Sequence, residues 1–269
     1  MEWFEAVILG LLQGLTEFLP VSSSGHLEIG KVLLGVETTD DLMFTTMVHA
    51  ATVLSTIVVF RKQIFGLLKG FFKFRYNDET DYLFKIAVSI IPVMIVGLFF
   101  KDHVEALFGS IKVVGYALLL TSALLFFSDL ASKPGKDVRK PESEARNGIS
   151  YWQAFVVGLA QALAVVPGLS RSGTTISTGL ICGVRRDVMA QFSFLMVLVP
   201  ILGESFLELV GGEFASSSVG ALPLLLGFVS AFVSGLFACK VMIALVKKAK
   251  LSWFAIYCLV AAAAIFIFA

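Results

Sequence analysis

Six stretches of the chain are apolar for about the length a helix needs to cross a bilayer: roughly residues 43–60, 82–100, 113–130, 189–210, 221–246 and 251–269. At 1.5 Å of rise per residue, about 20 largely apolar residues cover the hydrocarbon core. Lipid offers the backbone no hydrogen-bond partners, so such stretches are confined to helices. Two further apolar segments, 1–35 and 151–183, are interrupted. The first carries Glu17, Pro20, Ser22, Ser23, Ser24, Gly25, His26 and Glu28. The second carries Gln161, Pro167, Gly168, Ser170, Arg171, Ser172, Gly173, Thr174 and Thr175. Pro and Gly break the helical ladder where water cannot repair it. Each segment therefore reads as a helix, a polar turn and a second helix returning to its own side. With 57% hydrophobic and 15% charged residues in 269, the chain is far from a soluble domain or a disordered one. The formal charge of +1 carries no basic excess of the kind nucleic-acid binding needs. Cys182, Cys239 and Cys258 lie in separate apolar stretches without metal or redox spacing and read as buried free thiols. The start, Met-Glu-Trp-Phe-Glu, has no basic region of the signal-peptide kind.

Sliding the chain against itself by 148 positions aligns the two broken segments without a gap. Gly10/Gly158, Gln13/Gln161, Ser22/Ser170, Ser24/Ser172, Gly25/Gly173 and Gly35/Gly183 become identical pairs. The expected fold is an all-α polytopic membrane protein made of two repeats. Residues 1–131 hold hairpin 1–35 and spans 43–60, 82–100 and 113–130. Residues 151–269 hold hairpin 151–183 and spans 189–210, 221–246 and 251–269. Residues 132–150 are a cytoplasmic linker. Three spans is an odd number, so the second repeat enters from the opposite face, an inverted repeat whose broken helices meet near the midplane. Sixteen Lys and Arg residues fall on one side against Lys31, Lys101 and Lys112 on the other, which places the first set in the cytoplasm and both termini outside.

Ionisable groups at bilayer depth are costly and so mark function. The broken segments hold Glu17, His26, Glu28 and Arg171 among hydroxyls. Arg presents planar, permanently charged donors to phosphate oxygens, and a Gly-rich turn opening a helix offers backbone N–H groups and a positive dipole end. Gly168-Leu-Ser-Arg-Ser-Gly173 reads as such an anion nest. On the facing turn, a carboxylate and an imidazole beside a hydroxyl provide a nucleophile with an acid or base. Glu17 together with diphosphate oxygens is also a site for a hard divalent cation. His49, on a spanning stretch, reads better as an interhelical hydrogen-bonding residue. Glu204, between Pro200, Gly203 and further apolar residues, reads equally as a site wall or as partner to a buried donor.

Gln13-Gly-Leu-Thr-Glu17-Phe-Leu-Pro-Val-Ser-Ser-Ser-Gly-His26 and Pro167-Gly-Leu-Ser-Arg-Ser-Gly-Thr-Thr175 resemble the two signature motifs of the bacterial undecaprenyl-diphosphate phosphatase family of the bacitracin-resistance BacA type. The resemblance extends to motif spacing and to span count over nearly the whole chain. It implies removal of the terminal phosphate from undecaprenyl diphosphate with a divalent cation, Mg2+ or Ca2+, at the outward face of the bacterial inner membrane. It also implies an indirect link to bacitracin through the shared substrate, membrane lipids as partners, and no bar to a homo-oligomer. Carried over by position, Glu17, His26 and Arg171 match the family's essential polar residues and Ser23 a nucleophile. The phosphate site is expected to draw on Gln13, Ser22, Gly168, Ser170, Arg171, Ser172, Gly173, Thr174 and Thr175. Gln13 stands where many members have Glu, which shifts metal binding and base chemistry onto Glu17. Two mechanisms follow, attack by Ser23 or attack by His26 through a phosphohistidine. A transporter of lipid phosphates is the alternative that the repeat architecture itself suggests.

Overall fold

The computed structural model describes residues 1–36, 42–100, 103–104, 110–132, 146–203 and 219–268. Glu204 and most of the 132–150 linker lie outside the described residues, as do Lys101 and Ala269. The described chain is helical throughout. In order it forms α1 (Trp3–Thr16), α2 (Ser23–Leu34), α3 (Leu42–Val59), α4 (Arg61–Phe71), α5 (Asp78–Phe99) and α6 (Ile111–Ala131). After a short 3-10 turn (Arg146–Gly148) come α7 (Tyr151–Leu163), α8 (Arg171–Ile181), α9 (Arg186–Met196), α10 (Ala221–Lys248) and α11 (Ser252–Phe268).

Four of these helices are long and apolar enough to cross a bilayer: α5, α6, α9 with its continuation to Gly203, and α10. A fifth candidate is α3 with α4, which bend by 74° at their junction. The expected span 251–269 is the 17-residue α11, about 25 Å long at 1.5 Å per residue and so the shortest of the set. Large apolar side chains such as Trp253, Phe237, Leu98 and Phe127 point outward, as a lipid-facing surface requires. None of the three cysteines is in a disulfide; Cys239 and Cys258 are buried, whereas Cys182, at the end of α8, is only partly so.

Both interrupted segments fold as pairs of helices. Ser150 and Gln153 open α7 with a reciprocal capping box, and the Gln153 side chain then donates to the Cys182 carbonyl at 3.0 Å, closing α7 onto α8. The first helix of each pair lies against a long helix from the other half. A methyl group on Gly10 would come within 2.3 Å of the Gly227 carbonyl on α10, and one on Gly158 within 2.3 Å of the Ser89 carbonyl on α5. These repeat-related glycines let backbones touch, which in lipid is a main source of helix association. α1 runs alongside α10 from its beginning, with Val7 near Ser230 and Gly14 near Ser234. α7 runs alongside α5 from its beginning, with Tyr151 at Asp81 and Gly158 at Ser89.

One end of the molecule is tied by two buried ionic networks. Lys85 pairs with Asp81 at 2.6 Å and donates to the Arg146 carbonyl, while Asn147 and Tyr76 also donate to Asp81. Arg186 pairs with Asp129 at 2.5 Å and reaches the carbonyls of Ser132 and Ala249. Asp129 in turn accepts from the backbone and hydroxyl of Ser252, both at 2.7 Å, capping α11. α10 ends and α5 begins at this end, so α1 and α7 start from opposite ends of the bundle.

Candidate functional site

Glu17 closes α1, one turn after Gln13, so the two side chains share a face. Gln13 Nε2 donates to Glu17 Oε2 at 2.8 Å, and Ser23 Oγ, opening α2, donates to the same oxygen at 2.5 Å. From α3, His49 brings Nε2 to 3.8 Å of Glu17 Oε2. Its Nδ1 lies 2.8 Å from the Thr45 carbonyl, which can only accept, so Nδ1 carries the proton and Nε2 is the nitrogen left facing the carboxylate. Three elements thus converge on one carboxylate oxygen.

Arg171 is the first residue of α8. Ser170 precedes it as the N-cap, its Oγ accepting from the Gly173 amide at 3.1 Å. Arg171 lines a narrow cleft whose other polar lining is Glu17, Thr52, Thr56, Ser172 and Ser193. Phe18, Phe194 and Leu198 form part of its apolar wall. Glu17 feels the positive charge of Arg171 across the cleft. Among the described residues, the Arg171 guanidinium has no hydrogen bond and no ion pair within 4 Å, so its donors are available to a guest. A permanently charged fork facing a carboxylate, with hydroxyls between, suits a phosphate group bearing a cation.

The two turns lock together. Gly168 donates its amide to Ser24 Oγ at 3.4 Å, and Ser172 Oγ donates to the Leu19 carbonyl at 3.2 Å. Gly168 has φ +87°, and a methyl there would sit 2.6 Å from the Val114 Cα, so both dihedral and space demand glycine. Ser22 has φ +70°, a strained conformation for a side-chain-bearing residue, held by its Oγ capping the Gly25 amide at 3.2 Å.

Several expected roles are redistributed. The stretch 168–173 is not an open anion nest: the amides of Gly168, Leu169, Ser170 and Gly173 bond to Ser24, Val166, Thr121 and Ser170 respectively. The reason is tertiary, since the turn is fastened to the opposing turn and to α6. That leaves the Arg171 and Ser172 amides, in the first turn of α8, as the N–H groups without a described acceptor. Ser22 and Ser170 serve as helix caps in equivalent ways. Thr175 donates to the Arg171 carbonyl at 2.8 Å and lies 2.7 Å from Ser193 Oγ, while the Thr174 hydroxyl is buried and has no described partner.

His26 is turned elsewhere. Its Nδ1 bonds the Ser22 carbonyl and its Nε2 the Tyr257 hydroxyl, each at 2.7 Å, with the two rings stacked 5.5 Å apart. No described contact joins it to Glu17, Ser23 or Arg171. His49, expected to bond between helices, instead bonds within α3 and faces Glu17. A pattern in the sequence marks it: Thr45, His49, Thr52 and Thr56 recur at 4, 3 and 4 residues, a polar stripe down one face of an otherwise apolar helix.

A divalent cation can be tested against these groups. Gln13 Oε1 is buried without a hydrogen-bond partner beside Glu17, which is an oxygen ligand awaiting a donor or a metal. Among the described residues no cluster of three or more His, Cys, Asp or Glu could hold a metal unaided. One carboxylate and one amide oxygen, completed by phosphate oxygens, is a donor set that fits a hard cation bound together with its substrate.

Residues 6–264 match the family described as bacitracin resistance protein BacA. The chain is 57% identical over 265 residues to the undecaprenyl-diphosphatase of Parabacteroides distasonis, covering 97% of this chain and 96% of that one. It is 55% identical over 262 residues to the undecaprenyl-diphosphatase of Bacteroides fragilis, at 96% and 95% coverage. At greater distance, the same name belongs to a Korarchaeum cryptofilum protein 34% identical over 274 residues, at 98% coverage of both.

Proposed function

Because the chain belongs to the bacitracin resistance protein BacA family, we propose that the Glu17–Arg171 cleft is where it acts as an undecaprenyl-diphosphatase. It is a multi-pass membrane enzyme that hydrolyses undecaprenyl diphosphate to undecaprenyl phosphate and inorganic phosphate, returning the lipid carrier to cell-wall synthesis. Bacitracin resistance follows from consumption of the shared substrate.

One observation carries the assignment of roles: Ser23 Oγ donates to Glu17 Oε2 at 2.5 Å, and Glu17 lines a cleft together with Arg171, whose guanidinium no described residue occupies. Glu17 takes the Ser23 proton as Oγ attacks the distal phosphorus. Arg171, with the first-turn amides of α8, holds the equatorial oxygens as charge redistributes over them. The phosphoanhydride P–O bond breaks and undecaprenyl phosphate departs with the bond's electron pair. Glu17 then takes a proton from water as the water attacks the phosphorus, and returns that proton to Ser23 Oγ as the Oγ–P bond breaks and phosphate leaves. The geometry favours Ser23 over His26 as nucleophile, because both His26 nitrogens are engaged away from the cleft. His49, whose Nε2 faces Glu17, takes the proton from that carboxylate and passes it onward.

Glu17 and Gln13 Oε1 would hold the divalent cation, Mg2+ or Ca2+. It supplies positive charge to the diphosphate. Replacing Gln13→Glu should lower the cation concentration needed for half-maximal cation binding, read by calorimetry with a non-hydrolysable diphosphate. An unchanged requirement would separate Gln13 from the metal.

An inverted repeat, with hairpins 1–35 and 151–183 entering from opposite faces, is supported by α1 and α7 starting at opposite ends of the bundle and by their turns meeting at Ser24 and Gly168. We place the chain in the inner membrane with the basic end in the cytoplasm and both termini outward, following the distribution of Lys and Arg. The same arrangement favours, as a second reading, lipid-phosphate movement across the membrane. Purified protein with Ser23→Ala and EDTA controls decides the first reading through phosphate release. Release by wild type that both controls abolish supports it, and wild-type turnover in Ser23→Ala would refute the covalent role. Translocation of a lipid phosphate in liposomes by the same inactive variant would establish the second.

A further inference from the structure

Residues 61–76 hold Arg61, Lys62, Lys69, Lys73 and Arg75 and no acidic residue, five positive charges in a chain whose total is +1. Most of this segment is α4, which turns away from α3 by 74° instead of continuing the span. Around its axis Ile64, Phe65, Leu67, Leu68 and Phe71 fall within one arc of roughly 160°, and Lys62 and Lys69 stand together on the other side. Gly70, on the polar side, is pressed against Glu79 of α5, and its carbonyl accepts from Asn77 at 2.9 Å. The helix is held by Gly70 together with Ile64 and Leu67, which pack against the core, and the rest of its apolar arc faces out: Phe65 is 70% exposed, with Leu68 and Phe71, and Phe72 and Phe74 beyond its end, also exposed. Among the described residues none of Lys62, Lys69, Lys73 or Arg75 forms an ion pair.

An exposed aromatic face on a soluble surface would be a liability, and four unpaired cations beside it would gain nothing from one another. Both are satisfied by one surrounding, the boundary between acyl chains and anionic headgroups. We infer that α4 and the turn through Arg75 form an interfacial anionic-phospholipid site. Its aromatic side lies in the acyl region, and Lys62, Lys69, Lys73 and Arg75 contact lipid phosphates. The inference needs only a membrane-spanning chain and is independent of the phosphatase reading. It also touches the cleft: Phe60, where α3 turns into α4, packs its ring 6.2 Å from Phe194 of the cleft wall.

The test uses the full-length protein in detergent micelles doped with equal phosphatidylglycerol and phosphatidylcholine of identical chains. The phospholipids retained after purification are quantified by mass spectrometry. Wild type should retain phosphatidylglycerol preferentially, and the preference should collapse at high salt. Since one basic residue near an anionic surface changes affinity several-fold, the quadruple variant K62Q/K69Q/K73Q/R75Q should lose at least roughly tenfold of that preference. Phosphate release from micellar substrate should stay at the wild-type rate. The charge-conserving K62R/K69R/K73R should keep the preference. Equal retention of the two lipids by wild type would overturn the inference, as would a preference that survives in the Gln variant or is lost in the Arg variant. If the quadruple variant does not fold, K62Q/K69Q carries the same test with a smaller expected loss.

Discussion

Arg171→Ala separates the chemistry of the cleft from its architecture. In the structure the guanidinium accepts no structural duty: it donates to no described residue, and what it contributes to the fold is its attraction to Glu17 across the cleft. Its backbone carbonyl, which receives the Thr175 hydroxyl at 2.8 Å, remains in the variant. The Ser170 cap also remains, and Ala at the first helical position is well tolerated. The thermal midpoint in detergent should therefore move by no more than a change of about 1 kcal/mol would produce. Activity should respond differently. An arginine supplied to a transferring phosphoryl group is worth roughly 10³–10⁵ in rate. The lower bound applies here, because the Ser172 amide and Ser23 both remain. A 10³-fold loss in kcat/KM corresponds to about 4 kcal/mol of transition-state stabilisation. Arg171→Lys should recover only part of that, since an ammonium keeps the charge and loses the planar fork. The assay is phosphate release under single-turnover conditions, paired with a melting curve on the same preparation. Retention of more than a tenth of wild-type kcat/KM would refute the reasoning, as would a midpoint that falls along with the activity.

Asp129→Asn should cost about 3–5 kcal/mol, because it strands the buried Arg186 guanidinium and weakens the cap on α11; chemical denaturation followed by intrinsic fluorescence reads it. Gly158→Val should destabilise comparably or prevent accumulation, as the added atoms meet the Ser89 carbonyl at 2.3 Å; expression and size-exclusion homogeneity check it. His49→Gln should lower kcat at least about tenfold, the usual minimum of a proton-transfer contribution being 10²-fold and part of it resting with solvent. His26→Gln should mainly lower the thermal midpoint, by releasing Tyr257, so the ratio of the two histidine variants' activities separates their roles.

The apolar helices are legible because hydropathy and length act locally: an apolar run of the right length has few alternatives in lipid. The broken segments are legible for the same reason in reverse, since Pro20, Pro167 and the glycines interrupt a helix wherever they fall. What escapes depends on partners far away in the chain. His26 lies nine residues beyond Glu17, and sequence proximity suggests a pair, yet Tyr257, 231 residues on, captures its ring. The Gly-rich turn at 168–173 has an anion-binding composition, but Thr121 and Ser24 consume its amides. His49 looks like a packing residue because nothing local pairs it with Glu17. The segment 61–75 shows in sequence only as a cluster of basic residues; its helix and outward aromatic face emerge once Gly70 is seen against Glu79.

The two hairpins share their scaffold and divide their chemistry. In the 148-residue register the matching pairs are those that build the turn: Ser22 with Ser170, both capping; Gly25 with Gly173, both capped; Gln13 with Gln161. Two of the pairs that differ carry the proposed reaction: Glu17 against Val165 and Ser23 against Arg171. On the proposed mechanism one hairpin contributes the base and the attacking oxygen, the other the guanidinium that receives the phosphate, and neither holds a complete set. If each half supplies only part of that set, the halves expressed as separate polypeptides should be inert alone and active only when they reassociate.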